Sequence, residues 1–474
     1  MNSNWSRREF FGGCAAFGAM SGMKAFALPG AKLGKVNVRF GVISDVHVQN
    51  DRRNDSRHLV KAFEYFRDHG ADGVLIAGDI ADNGRASQFK YFADAWYKVF
   101  PGDKAQDGRK VEKLFVYGNH DVDGWTWGRN AQQKKDPAVI ADAIGYSEET
   151  RARVWESCLH EKYEPVWMKE VKGYKFIGRH WHYQKEMVEF FKQHADELRG
   201  SKPFFYTQHE HPAHTCFGEW SWGHDDGTST RVLAQFPNAV SFTGHSHYTL
   251  TDERTIWQGS FTSINTSSMR YSSTDYNLRD NIGGNSGGYG KWQRSRVTPK
   301  SPTGDGKQGM LLEVGDDAIV IHRREFTFDQ GLGDDWVVPL PVAKEKPFAY
   351  KTHSAKRVAP QFAKGAEVKV RRIKDGKNDL VEVSFPAAQT VDKCRVYEYE
   401  VTATLYEDDV DLVACQKRVM SPDYFLPVSK QCKSARARFL VSELPPNAHL
   451  RFAVRPVECF GHKGAAIEST LFQT

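Results

Sequence analysis

The chain has little net charge. Lys and Arg number 65 against 59 Asp and Glu, a formal excess of +6. Residues 1–27 hold Arg7, Arg8 and Lys24 against Glu9, which leaves about +4 for the rest, too mild to imply nucleic-acid binding from charge alone. Cysteine is sparse, at seven in 474 residues. Cys394, Cys415, Cys432 and Cys459 fall near the end, where they admit either two disulfides or buried thiols, with the pairing left open. No internal repeat stands out. The apolar stretch before Ala27 is too short and too rich in glycine to span a membrane. Length suggests two or three domains, and the apolar and charged fractions of 40% and 26% are those of an ordinary soluble chain.

What the chain does have is five short motifs, each ending an apolar β-rich run. Val38 to Ser44 stops at Asp45-Val46-His47. Gly73 to Ala77 stops at Gly78-Asp79, and Lys113 to Tyr117 stops at Gly118-Asn119-His120-Asp121. Phe204 to Thr207 stops at Gln208-His209, and Ala239 to Thr243 stops at Gly244-His245-Ser246-His247. Short apolar runs followed by turn residues predict buried strands. Helical patterns lie between them, with Leu59, Phe63 and Phe66 on one and Phe89, Phe92, Trp96 and Val99 on the next. Alternating strands and helices imply a layered α/β core. Such folds gather polar groups beyond the carboxyl ends of their strands.

The residue types explain the chemistry. Carboxylate, imidazole and amide oxygen suit Mn, Fe, Zn, Ni or Co, and the lack of thiolate among them disfavours an iron–sulfur site. A carboxylate has two oxygens and can bridge two ions, and Asp79 is placed to do so. Two metals about 3.5–4 Å apart can clamp the attacking and leaving oxygens of an in-line displacement.

The order D-x-H, G-D, G-N-H-D, H, G-H-x-H resembles the calcineurin-like metallophosphoesterase superfamily across residues 36–330. The resemblance implies a metallophosphoesterase β-sandwich flanked by helices. It implies that Asp45, His47 and His247 hold one divalent metal and that Asn119, His209 and His245 hold the other, with Asp79 bridging. It implies that His120 contacts the phosphate and protonates the leaving group, with Asp121 orienting His120. Asp121 could instead cap a turn. His211 competes with His209, which is preferred as nearer the strand end. Purple acid phosphatases carry a metal-binding Tyr three residues after the bridging Asp. Here that position is Asp82, so a tyrosinate-bound ferric ion is not supported, and the pattern is more similar to the cyclic-nucleotide-phosphodiesterase-like branch. The activity implied is hydrolysis of phosphodiesters or phosphomonoesters by a metal-bound hydroxide. Alternatives are a nuclease or phospholipid-directed esterase, or a non-catalytic metal-binding surface protein.

Other residues are less specific. His180, His182, His214 and His224 read as exposed loop histidines. Trp220 and Trp222 read as core, with base stacking as the other possibility. Arg85, Arg129 and Arg179 could each grip a phosphate oxygen, although most such arginines are ordinary surface residues. Residues 265–308 form a Ser/Gly/Tyr-rich stretch, read as a loop over the cleft or a solvated insertion, with Arg270 and Tyr271 as its first residues of interest.

Ser6-Arg7-Arg8-Glu9-Phe10-Phe11 and the Ala25-Phe26-Ala27 site resemble a twin-arginine export signal over 1–27. That implies a bacterial protein exported to the periplasm or medium, with the twin-arginine machinery as a partner and no stable membrane span in the mature chain. The catalytic region is expected over 36–340, and a Pro/Lys/Ala-rich linker over 341–365. Period-two strands then predict an antiparallel β-sandwich over 366–474, similar to a fibronectin type III module. No metal or nucleophile cluster marks that second unit, so its expected task is packing on the catalytic region or binding a partner.

Overall fold

A computed structural model describes residues 33–49, 55–128, 132, 134–273, 307–390, 395–407, 410–421 and 424–474. The export-signal reading, Arg129, Cys394 and most of the 265–308 stretch lie outside these residues. No helix among the described residues is long and apolar enough to cross a membrane.

Two mixed sheets face each other. The first contains β1 (Val36–Ile43), β2 (Gly73–Ala77), β3 (Glu112–Val116), β10 (Gln308–Gly315), β11 (Ala318–Glu325), β12 (Gln330–Gly331) and β13 (Trp336–Pro339). Its order is β12-β11-β10-β1-β2-β3, with β13 also on β11. The second runs β4-β5-β6-β7-β9-β8, built from β4 (Val166–Val171), β5 (Tyr174–Arg179), β6 (Phe204–Thr207), β7 (Ala239–Thr243), β8 (Ile256–Gln258) and β9 (Thr262–Asn265). Strands β1, β2 and β3 are parallel, as are β5, β6, β7 and β9.

Side-chain alternation sorts each strand between two layers. In β2, Leu75 and Ala77 enter the core between the sheets, while Val74 and Ile76 face the helices. Phe40 of β1 fixes the sheet-to-sheet contact, with ring centroids 5.0 Å from Phe176 and 4.8 Å from Phe205. Helices α1 (Asp55–Asp68) and α2 (Ala86–Val99) cover the first sheet through Phe63, Phe66, Phe89, Phe92 and Trp96. The helix Gln184–Gln193 covers the second through Met187 and Phe191. This is the expected layered sandwich, and the five predicted strands end within a residue of their expected positions.

The C-terminal unit is the expected antiparallel sandwich. Strands β14 (Lys369–Asp375), β15 (Asn378–Pro386) and β18 (Ser434–Leu440) form one sheet. Strands β16 (Val396–Glu407), β17 (Val410–Met420), β19 (His449–Glu458), β20 (Ile467–Glu468) and β21 (Phe472–Gln473) form the other. Strand β17 has no counterpart in the sequence reading, because Asp411, Gln416, Lys417 and Arg418 interrupt its apolar pattern. No disulfide joins Cys415, Cys432 and Cys459 to one another.

The expected linker, 341–365, is a packed segment. Val342 and Phe348 enter the catalytic core. Gln258 and Phe348 exchange hydrogen bonds, and buried His353 pairs with Glu253 at 3.3 Å. Lys and Ala dominate its composition, but two apolar anchors suffice to fix it. The units are also joined directly. Thr251 donates its hydroxyl to the Tyr424 carbonyl at 2.7 Å, and Gln308 donates to the Phe425 carbonyl at 2.9 Å. The Arg254 guanidinium lies between the rings of Phe217 and Tyr397.

Candidate metal centre

The parallel strands of both sheets end at one edge, and all five motifs meet there. Asp45, His47 and His247 bring ligand atoms within 4.8 Å of one another, as do Asp79, His209 and His245. The backbone is bent to achieve this. Asp45, His47, Asp79, His245 and His247 all have φ between 47° and 67°, a left-handed conformation that costs non-glycine residues energy and persists where the surroundings enforce it. Two glycines, in ordinary backbone conformations, allow the motifs to approach closely. A Cβ on Gly118 would strike the Asp79 carboxylate, and one on Gly244 would strike Ser44 and Asp45.

Three of the imidazoles are anchored through Nδ1. His47 donates Nδ1–H to Asp82 Oδ1 at 3.0 Å, His209 donates to the Ala77 carbonyl at 2.7 Å, and His247 donates to the Tyr271 carbonyl at 3.0 Å. A histidine anchored through one nitrogen presents the other to a metal. Accordingly, Nε2 of His47 and Nε2 of His247 face each other at 3.2 Å, and Nε2 of His209 lies 3.1 Å from Nδ1 of His245. Asp79 Oδ2 is 3.0 Å from His209 Nε2 and 3.7 Å from His47 Nε2, so it touches both halves of the cluster. Asp45 Oδ1 lies 3.0 Å from His247 Nε2.

Opposed basic nitrogens beside buried carboxylates need a cation between them. Burial pulls the His47 imidazole down, yet hydrogen bonds to Asp45 and Asp82 and the field of Asp79 override it and push it up to about 10. His209 behaves alike: burial opposes its charge, and Asp79 drives it up to about 9. Burial would raise Asp45, but His247 and its neighbours hold that carboxyl well below its ordinary value. In the metal-free chain protons take the cation's place, and a metal must displace them. Asn119 supplies a second indication, because its Oδ1 is a buried acceptor with no hydrogen-bond partner, the kind of group that requires an explanation. The donor set fits divalent metals.

His120 stands apart. It is part-exposed while the proposed ligands are buried. Its Nδ1–H donates to the Asp82 carbonyl at 2.7 Å, which leaves Nε2 for proton exchange. Burial holds its pKa below the ordinary value. The expected orienting partner, Asp121, does something else. Its carboxylate accepts N–H groups from Gly118, Ile80 and Ala81 at 2.8, 3.1 and 2.6 Å. Burial and the nearby Asp79 push it up to about 7. The reason is helical geometry: in α3 (Asn119–Val122) neighbouring side chains diverge by about 100°, so His120 faces the cleft and Asp121 the core. The residue that orders the site is Asp82, held at about 2 by His47 against the effect of burial. Its position three residues after Asp79 was the available signal.

The other candidates fall as follows. His211 bonds Thr243 and Ser246 at 2.6 and 2.8 Å, outside the ligand cluster. His180 is buried among Tyr117, Trp155 and Tyr163, contrary to the exposed reading, and its Nδ1 accepts the Tyr117 N–H at 2.9 Å. His182 is exposed and meets Asp123 at 3.0 Å. His224 packs its ring 4.6 Å from His245, which its loop sequence did not signal. His214 is exposed, with the Trp222 ring tilted 5.4 Å from it. Arg179 is buried against Glu210, and Arg85 donates to the Val139 carbonyl, so neither is presented to a phosphate. Within 265–273 the cleft reading holds for Tyr271, whose ring lies 4.3 Å from His247.

Residues 38–249 match the family described as calcineurin-like phosphoesterase. Over those residues the chain matches a calcineurin-like phosphoesterase domain, and a β-sandwich follows it. It is similar to a dimetal phosphatase from Danio rerio at 16% identity and TM-score 0.34, covering 64% of this chain and 99% of that one. It is similar to GAP50, the anchor in the inner membrane complex of Plasmodium, at 12% and 0.36, covering 68% and 94%. It is also similar to an archaeal phosphodiesterase at 13% and 0.24, covering 61% and 98%. No curated protein matches the chain.

Proposed function

We propose that the protein is an exported phosphoesterase with two divalent metals, acting on small phosphodiesters or phosphomonoesters. The observation that carries this reading is the pair of facing nitrogen sets, His47 with His247 and His209 with His245, sharing the Asp45 and Asp79 carboxylates. Asp45, His47 and His247 would hold one ion, and Asn119, His209 and His245 the other, with Asp79 between them. Bound metals would supply Lewis-acid polarisation of the phosphoryl oxygens and activation of water. His120 presents its Nε2 beside the cleft, where, once protonated, it would pass that proton to the departing oxygen. The Asp82 carbonyl fixes its tautomer. The Arg7-Arg8 signal supports export after folding, in keeping with metal loading before translocation.

The test is a metal-reloading panel. Stripped protein is reloaded with Mn, Fe, Zn, Ni or Co and assayed on a phosphate monoester and its matched diester. Metal-dependent turnover of either supports the reading, and the ratio assigns the ester class. A fully loaded protein that turns over neither would remove the catalytic reading.

A further inference from the structure

Few described aromatic side chains are exposed, and two of them touch histidines of the metal centre. Trp127 is 40% exposed with its ring 4.9 Å from His120, and Tyr271 is 44% exposed against His247. His47 lies between the two histidines, 4.4 Å from His120 and 5.0 Å from His247 by ring centroids. The rings therefore form a row along the cleft, with an uncovered aromatic at each end.

The Trp127 end is the one beside the proton donor. Trp127 ends a hydrogen-bonded turn that follows α3 directly. Asp123 accepts the Trp181 indole N–H at 2.7 Å, Thr126 donates to the Asp123 carbonyl at 2.8 Å, and the Trp127 N–H reaches the Gly124 carbonyl at 3.3 Å. The apolar surface continues through Trp125 to Tyr146, whose rings meet edge to face at 5.9 Å, and Tyr146 is itself exposed. A pre-positioned indole left open to water beside the group that protonates the leaving oxygen has one natural cover, the alcohol portion of the substrate.

We propose that Trp127 is a specificity-determining residue, and that the site prefers phosphoesters whose leaving alcohol carries a flat aromatic ring. This rests on the phosphoesterase reading above and adds the chemistry of the leaving group. A ring stacked on Trp127 sets the ester oxygen near His120. Stacking on an aromatic side chain tolerates any flat ring, so a nucleobase and a simple aryl group both satisfy it.

The test uses ester pairs with leaving groups of similar acidity: 2-naphthylmethyl phosphate with ethyl phosphate, and a nucleoside 5′-monophosphate with ribose 5-phosphate. If the enzyme takes diesters, their methyl diesters replace them. The metal-loaded full chain is expected to favour the aromatic member in kcat/KM by about tenfold or more. Trp127→Ala should bring that ratio close to one with metal content unchanged by elemental analysis, and Trp127→Phe should restore most of it. Preference within both pairs identifies the ring itself, and preference within the nucleotide pair alone identifies a nucleoside. A wild-type ratio near one on esters that are hydrolysed overturns the inference and leaves the phosphoesterase reading standing. A ratio that survives Trp127→Ala also overturns it. Failure to turn over any ester would remove both.

Discussion

Asp82 holds His47 by its carboxylate, with Oδ1 3.0 Å from the imidazole Nδ1. Gln49 and Asn83 donate to its other oxygen at 2.7 and 3.1 Å, so the carboxylate is fixed before it fixes His47. Removing such an outer partner typically lowers metal affinity about 10- to 100-fold. Asp82→Ala is expected to weaken one metal site by that factor, measured by chelator competition. Asp82→Asn keeps an acceptor oxygen and should lose less. Because His120 is held by the residue-82 main chain, its tautomer survives both changes. Unaltered metal affinity in Asp82→Ala would remove the positioning role.

Metal and protons compete for the same nitrogens. In the metal-free chain His47 and His209 are pushed up to about 10 and about 9 from an ordinary 6.5. A raised imidazole stabilises the fold fully below its unfolded value and loses that contribution as pH rises through the folded one. Metal-stripped protein should therefore melt lower at pH 10 than at pH 7. Metal uptake at pH 7 should release protons, and apparent affinity should rise between pH 6 and 9. Calorimetry in two buffers of different ionisation enthalpy checks this, and identical heats in both would contradict it.

Substitution at Asp79 and His120 separates metal retention from turnover. Asp79 Oδ2 meets histidines of both halves, so Asp79→Asn should lose metal from both sites. His120 comes within 4.8 Å of His47 and Asp82 but belongs to neither the Asp45–His47–His247 nor the Asp79–His209–His245 trio. His120→Ala should keep its metal and lose about 10²- to 10⁴-fold in kcat, the usual worth of a positioned acid. Elemental analysis beside steady-state rates distinguishes the two. Wild-type turnover in His120→Ala would end its assignment as proton donor.

Much of the site was legible because buried parallel strands read as uninterrupted apolar runs, and their polar ends stand out. His209 was separable from His211 on that ground alone. Asp121 was misread because adjacency along the chain differs from adjacency of side chains on a helical turn. Asp82 passed as a missing tyrosine, since its partners His47 and His120 come from other strands. Trp127 lay unread seven residues after His120, because an aromatic pair after a motif does not reveal which ring stays uncovered.

Asp121 yields a stability prediction. Its two oxygens accept three buried N–H groups. An amide at that position keeps one acceptor oxygen and turns an NH₂ toward a donor. Leaving a buried donor unsatisfied costs about 1–3 kcal/mol. Asp121→Asn is expected to lower unfolding free energy by that amount and Asp121→Ala by more, read from denaturant midpoints. A midpoint shift of zero for both would show that the three N–H groups find other partners.

Gln308 ties the metal-binding loop to the C-terminal sandwich. Its Oε1 accepts the Leu250 N–H at 2.8 Å and the hydroxyls of Thr249 and Ser267 at 3.0 Å each, while Nε2 donates to the Phe425 carbonyl at 2.9 Å. His245 and His247 lie just before Thr249, and Ser268, next to Ser267, donates to the Asp45 carbonyl at 3.1 Å. One fully buried amide thus joins two sides of the metal centre to the second unit. Gln308→Ala opens a buried Leu250 N–H and a buried Phe425 carbonyl, at about 1–3 kcal/mol each. It should lower the melting temperature of the metal-loaded protein more than that of the stripped protein, since the loop it holds carries ligands. The rise in melting temperature on adding metal should shrink accordingly. Gln308→Glu keeps the acceptor side and should retain more of that rise than Ala does. Equal losses with and without metal would mean that Gln308 supports the interface alone, and that the C-terminal sandwich leaves the metal loop's geometry to the catalytic region.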